Sequence, residues 1–218
     1  MQLKDNIDFY GVFSFKSVDC DGNVLDEYTE KNLIMDKART NMAQLVGGVT
    51  VGDGESTGLA INQFVLGTRG HIDTNILSYQ KVGESDATKP AGNQSFDSTR
   101  ERLFSETIQD AINYRIPFDV RGGNDVTVTV DGQRYETDTE VGSLEADNTV
   151  RRVVADRTVT YTFTIPIDNA NSGDINNPVV AYTEAALYAG DEIFSMKTFP
   201  ARVKENSVKF IIEWSIIF

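Results

Sequence analysis

Cysteine, histidine and tryptophan each occur once in these 218 residues, as Cys20, His71 and Trp214. A single cysteine leaves no partner for an intramolecular disulfide and rules out a zinc site built on cysteine pairs. A single histidine removes most arrangements in which an imidazole activates a nucleophile or holds a catalytic metal. Basic residues are scarce as well: 20 Lys and Arg stand against 33 Asp and Glu, a formal net charge of −13. Binding to phosphates runs on clustered cations that release counterions, so nucleic acid is not an expected partner; an anionic membrane is disfavoured for the same reason. No run approaches the roughly 18 consecutive apolar residues of a membrane-spanning helix, and Met1-Gln2-Leu3-Lys4-Asp5-Asn6 lacks the apolar stretch of a signal peptide. Synthesis and retention in a cytoplasm is the simplest expectation.

What the chain has is alternation. Val208, Phe210, Ile212, Trp214, Ile216 and Phe218 fall on every second position, the pattern of a strand with one apolar face over a core. Ile193 to Phe199 reads as a second strand, and Glu205-Asn206-Ser207 between them predicts a terminal hairpin. Val159, Tyr161, Phe163, Ile165 and Ile167, interleaved with threonines, give another strand with Thr on its wet side. The chain also opens with a hairpin: Ile7 to Val18 and Val24 to Tyr28 flank Asp21-Gly22-Asn23, residues that tolerate a tight turn. One helix is expected at about 34–46, with Asn32 as its cap, Met35, Ala38, Met42, Leu45 and Val46 on its apolar stripe, and Gly47-Gly48 as its stop.

Shorter strands are expected at Ile61 to Leu66, around Tyr79 to Val82, at Tyr114 to Val120 and from Val126 to Val130, and Val179 to Tyr188 brings the chain back to the final hairpin. Arg102 to Ile112 could form a short helix, and Gly83 to Ser98 reads as a long surface loop. About ten to twelve strands against one helix predict an all-β fold, a β-sandwich or jelly-roll-like pair of sheets with one embedded α-helix. Hydrophobic residues make up 40%, enough for a sizeable core, and residues 1–218 read as a single β-rich domain. The alternative division is a core plus a hairpin arm or insertion at about 122–157.

No constellation announces a reaction. Asp19, Asp21, Asn23 and Glu30 sit at positions 1, 3, 5 and 12 of a calcium-loop pattern, but Val24 stands where that loop needs Gly, and a hairpin turn accounts for the same residues. Asp53, Glu55, Asp168 and Asp174 are loop carboxylates that could pair as acid and base or bind a metal; solvated surface acids are the plainer reading. His71, in a Gly-bounded turn, is expected at the surface or in a loop, no G-x-S-x-G elbow occurs, and Cys20 reads as an ordinary reduced thiol. Trp214 and Tyr188 could stack on a sugar, although the apolar side of its strand places Trp214 in the core. No catalytic, cofactor or metal residue is therefore assigned.

Three pieces carry a resemblance. They are Lys31-Asn32-Leu33-Ile34 before the helix, Phe64-Val65-Leu66-Gly67-Thr68 followed by Asp73-Thr74-Asn75-Ile76-Leu77, and Thr183-Glu184-Ala185-Ala186-Leu187-Tyr188 followed by Phe199-Pro200-Ala201-Arg202-Val203-Lys204. Together with the terminal strand they resemble a diffuse group of structural proteins of tailed bacteriophages, found in tail, baseplate, collar or head-decoration roles. The match covers about a third of the chain. Arg69 stands where the group commonly has Gly after Thr, and Ala186 replaces the Gly of its E-x-G-L-F segment. The resemblance implies a non-enzymatic virion component, made in the host cytoplasm, whose partners are other virion proteins and copies of itself in a homo-oligomer. It carries over no catalytic residue and no cofactor. The competing readings are a carbohydrate- or cell-surface-binding β-sandwich, although of the loops at 47–58, 83–98 and 168–178 only Phe96 supplies an aromatic ring, and a metal- or carboxylate-dependent hydrolase working through Asp53, Glu55, Asp168 and Asp174.

Overall fold

The computed structural model describes residues 9–47, 60–72, 75–84, 95–118, 127–131, 134–140, 147–172 and 179–218. Alternation becomes strand wherever one face has a core to cover. β1 (Tyr10–Asp19) buries Gly11, Phe13, Phe15 and Ser17 on one face, and β13 (Val208–Ile217) buries Val208, Phe210, Ile212, Trp214 and Ile216. β1 and β13 pair antiparallel with Phe13 opposite Trp214, and β10 (Thr158–Ile165) pairs with the other edge of β13, Tyr161 opposite Trp214. β2 (Val24–Ile34) lies on the other side of β1 and runs further than the expected Tyr28.

A second layer holds β6 (Asn113–Pro117), β3 (Ile61–Gly67), β11 (Val180–Ala189) and β12 (Glu192–Lys204), in that order. The layers join where Leu33 and Ile34 of β2 pair with Met196 and Ser195 of β12, so one eleven-stranded antiparallel sheet curls back on itself as an all-β sandwich. Its filling is aromatic: Phe64 stacks on Phe163 at 4.3 Å, Phe13 on Phe199 at 5.3 Å, and Trp214 meets Phe13 edge-on at 4.9 Å.

The outer face of the β3–β11–β12 layer is covered too. Val65, Ala186, Tyr188 and Met196 pack there against Phe96, Leu103 and Phe104, while Phe64, Ala185 and Leu187 face the inner core. β11 is consequently buried along nearly its whole length. A small sheet of β4 (His71–Ile72) and β5 (Asn75–Tyr79) also packs on β12. Beyond β10 the sheet continues through β9 (Thr149–Ala155), β8 (Arg134–Glu140) and β7 (Thr127–Asp131). The segment named above as an arm thus carries three strands in register with the main sheet.

Several expectations change. β12 and β13 form no hairpin: β12 pairs with β11 and β2, and β13 with β1 and β10, so the turn at 205–207 arches from one layer to the other. The helix, α1, spans Asp36–Val46; Asn32 does not cap it, being buried within β2. Ala38 and Met42 of its stripe reach the core, Val46 is exposed, and the side chain of Leu45 lies outside the described residues. Between 102 and 112 there is a single 3-10 turn, Ser105–Thr107, in place of a helix. The strand expected at 79–82 lies earlier, at β5. His71 is 7% exposed and Phe96 2%, so neither is a surface residue.

Candidate functional site

β3 and β11 pair with Gly67 opposite Glu184. Glu184 is fully buried on the outer face of its layer, a carboxylate in an otherwise apolar stretch, and such a group must be satisfied by hydrogen bonds. Its Oε1 accepts from the Ser105 amide at 2.8 Å and the Arg69 amide at 3.3 Å, and its Oε2 accepts from the Phe104 amide at 2.9 Å. The 3-10 turn at Ser105–Thr107 has no side-chain cap of its own, and Glu184 supplies one from across the fold. Burial raises the Glu184 pKa, opposed by the bonds from Ser105 and Phe104 and by the Arg100 charge.

The glycines beside it are there for room. A Cβ on Gly67 would stand 2.2 Å from Ser105 Oγ and 2.7 Å from Glu184 Oε1, and one on Gly70 would stand 2.4 Å from the Thr183 carbonyl oxygen. The Gly70 amide donates to Thr183 Oγ1 at 2.9 Å, and His71 Nδ1 lies 3.5 Å from the same oxygen. The lone histidine is therefore packed against the bulge in β11 and not presented to a substrate. Around the carboxylate, the Arg100 guanidinium stacks 3.5 Å over the Phe104 ring and donates to the Ser95 carbonyl, while Glu106 takes the Tyr188 hydroxyl and pairs with Arg115. The Glu184 and Glu106 carboxylates thus tie segment 95–107 to the sheet.

A second set of charges spans the gap where β2 and β12 diverge. Lys197 Nζ lies 2.5 Å from Glu30, Arg202 lies 2.7 Å from Asp26, and the Tyr28 ring sits under both cations at 5.7 and 5.2 Å. Partial burial, the largest single influence, works against the Glu30 charge, but the hydrogen bond and charge of Lys197 together with the neighbouring Tyr28 and Tyr79 hydroxyls outweigh it and hold the carboxyl below its ordinary value. Side chains here do what backbone hydrogen bonds do at Leu33 and Ile34. Pro200 falls in the register break of β12, where a missing N–H removes no ladder bond.

A third buried charge is Lys204, fully buried, whose ammonium donates to the Ile167 carbonyl at 2.8 Å, Asn171 Oδ1 at 3.1 Å and the Glu205 carbonyl at 3.2 Å. Burial lowers its pKa to about 8, against the pull of Asp168 and Glu205.

Those residues singled out from sequence that lie among the described residues do not converge. The Asp19 carboxylate accepts from the amides of Asp21 and Asn23 and from Asn23 Nδ2, the geometry of a hairpin turn. Glu30 lies opposite Phe13, six positions along β1 from Asp19 and about 20 Å away, so the calcium-loop residues do not surround one point. Asp168 faces Lys204, while Asp53, Glu55 and Asp174 lie outside the described residues. Trp214 is fully buried, Tyr188 3% exposed, and Cys20 is an exposed free thiol. Among the described residues no group of three His, Cys, Asp or Glu is placed to hold a metal ion. Sequence reading missed Glu184, although a lone carboxylate between Thr183 and Ala185-Ala186-Leu187 was a signal that a buried acceptor was needed. Comparison of the chain with protein-family models, with curated proteins and with solved structures finds no match.

Proposed function

We propose that this protein is a non-enzymatic structural component of a tailed-phage virion, assembling through protein–protein contacts on a symmetric ring or lattice in the tail, baseplate, collar or head decoration. One observation supports this most. Several of the pieces that carry the resemblance become neighbouring strands, the end of β2, then β12, β11 and β3, with Gly67 of one motif in register with Glu184 of another, while Asn75-Ile76-Leu77 falls in the small β4–β5 sheet and the terminal strand β13 in the other layer. Those strands form a single structural unit, and the buried carboxylate of Glu184 within it is spent on backbone amides. A rigid core of this kind suits a subunit that repeats in a lattice, where partners are copies of itself and adjoining virion proteins. An excess of acidic charge keeps such a subunit dispersed before assembly.

Density-banded particles from lysed host cultures provide the test. Peptides of this chain should co-purify with particles at a constant ratio to the major head protein through successive bandings. Loss of the chain during banding, with recovery in the soluble fraction, refutes a virion role.

A further inference from the structure

Lys204 ends β12 and Asn171 lies in the turn that follows β10, so the two belong to opposite layers of the sandwich. Their side chains meet: Lys204 Nζ donates to Asn171 Oδ1 at 3.1 Å, across 33 residues of chain. The Asn171 amide is fixed from its other end, where Nδ2 donates to the Ile167 carbonyl at 2.7 Å. The turn itself is pinned by Tyr182, whose hydroxyl donates to the Ala170 carbonyl at 2.9 Å. Asn171 Cγ, the electrophilic carbon, is therefore held one C=O bond, about 1.2 Å, beyond the atom that Nζ touches. Lys204 is fully buried, and desolvation lowers its pKa to about 8 against the charges of Asp168 and Glu205. A free amine, which alone has the lone pair a nucleophile needs, is thus within reach near neutral pH. The pair formed by Lys197 is different, because Glu30 is held as a carboxylate anion, and an anion resists attack.

We propose that Lys204 and Asn171 join in an intramolecular isopeptide bond in the folded chain. The ammonium first gives a proton to solvent. Nζ then attacks Cγ, a second proton passes from Nζ to Nδ2, and the Cγ–Nδ2 bond breaks to release ammonia. One C–N bond replaces another, so nothing is oxidised or reduced. The fold supplies the encounter by holding amine and amide together. The product is a covalent staple between the end of β12 and the turn after β10, tying one layer to the other. Until it forms, Lys204 titrates as an amine. Nothing in this step depends on the virion role, and neither reading falls with the other.

Mass spectrometry of the intact purified chain, sampled over days at pH 9, is the test. The mass should come to lie about 17 Da, one ammonia, below that of the sequence. After proteolysis the peptide holding Asn171 should be joined to the peptide holding Lys204. The loss should be absent in Asn171→Ala, in Lys204→Arg and in the unaltered chain kept unfolded in urea. Its rate should rise about tenfold for each pH unit below 8 and level off above it. The joined peptides are read on the unaltered chain, whatever the variants do to folding. An unchanged mass, or Asn171 and Lys204 peptides that separate, overturns the proposal. So does a loss of ammonia that persists in Lys204→Arg, because the amide nitrogen then leaves without the amine.

Discussion

Glu184 Oε1 accepts the Ser105 amide at 2.8 Å across 79 residues of chain, and that bond fastens the covering segment 95–107 to the β3–β11–β12 layer. Glu184→Gln should destabilise the fold by about 1–3 kcal/mol, because a side-chain NH₂ must then face a backbone N–H. Glu184→Ala, leaving all three amides unpaired, should cost more. The folded pKa is raised above the unfolded value near 4.5. A group of that kind stabilises most below its unfolded pKa and loses the contribution as pH rises through the folded one. Denaturant melts of the unaltered and Glu184→Gln chains from pH 4 upward should diverge in slope with that sign.

Gly67→Ala and Gly70→Ala should each cost about 2–4 kcal/mol, since the added Cβ collides with Ser105 and Glu184 in one case and with the Thr183 backbone in the other. Gly22→Ala is the contrast: its φ of +88° strains an added side chain, but nothing lies within 4 Å, and the cost should be near 1 kcal/mol. Thermal melts of the three variants rank them.

Strand existence was legible in the sequence because alternation needs only a core to one side; β1, β10 and β13 lie where the pattern puts them. Partnership was not. Residues adjacent in sequence, as at the 205–207 turn, favour a hairpin locally, yet β12 is buried on both faces from Ile193 to Phe199, and that demands a central place in the other layer. The burial of His71 and Phe96 was hidden for a similar reason: each sits in a polar, Gly-rich stretch whose cover comes from distant strands. Glu184 was readable as an anomaly, but its donors, Arg69, Phe104 and Ser105, lie on segments with no periodic pattern.

Lys204 makes stability rise with pH over a defined window. Its folded pKa of about 8 is below the 10.5 of the free side chain, so between these values the unfolded chain binds more protons than the native one. Stability should therefore climb by about 1–3 kcal/mol from pH 8 to pH 10. Lys204→Met should be less stable at pH 7, where two carbonyls lose their donor, and should lack this rise.

The ion pairs between β2 and β12 should matter little to stability. Glu30 and Asp26 keep 45% and 48% of their side-chain surface exposed, so Glu30→Gln and Asp26→Asn should each cost about 1 kcal/mol or less. High salt should shrink even that. Lys197→Ala should cost more, because its largely buried stem packs beside Tyr28 and Tyr79.

Gold-labelled antibody against the purified protein, applied to particles from lysed host cultures, tests the virion assignment most directly. A structural component gives gold at one fixed place, on the head surface, neck or tail, in particle after particle. Bare particles, with the protein left in the soluble fraction, would contradict it.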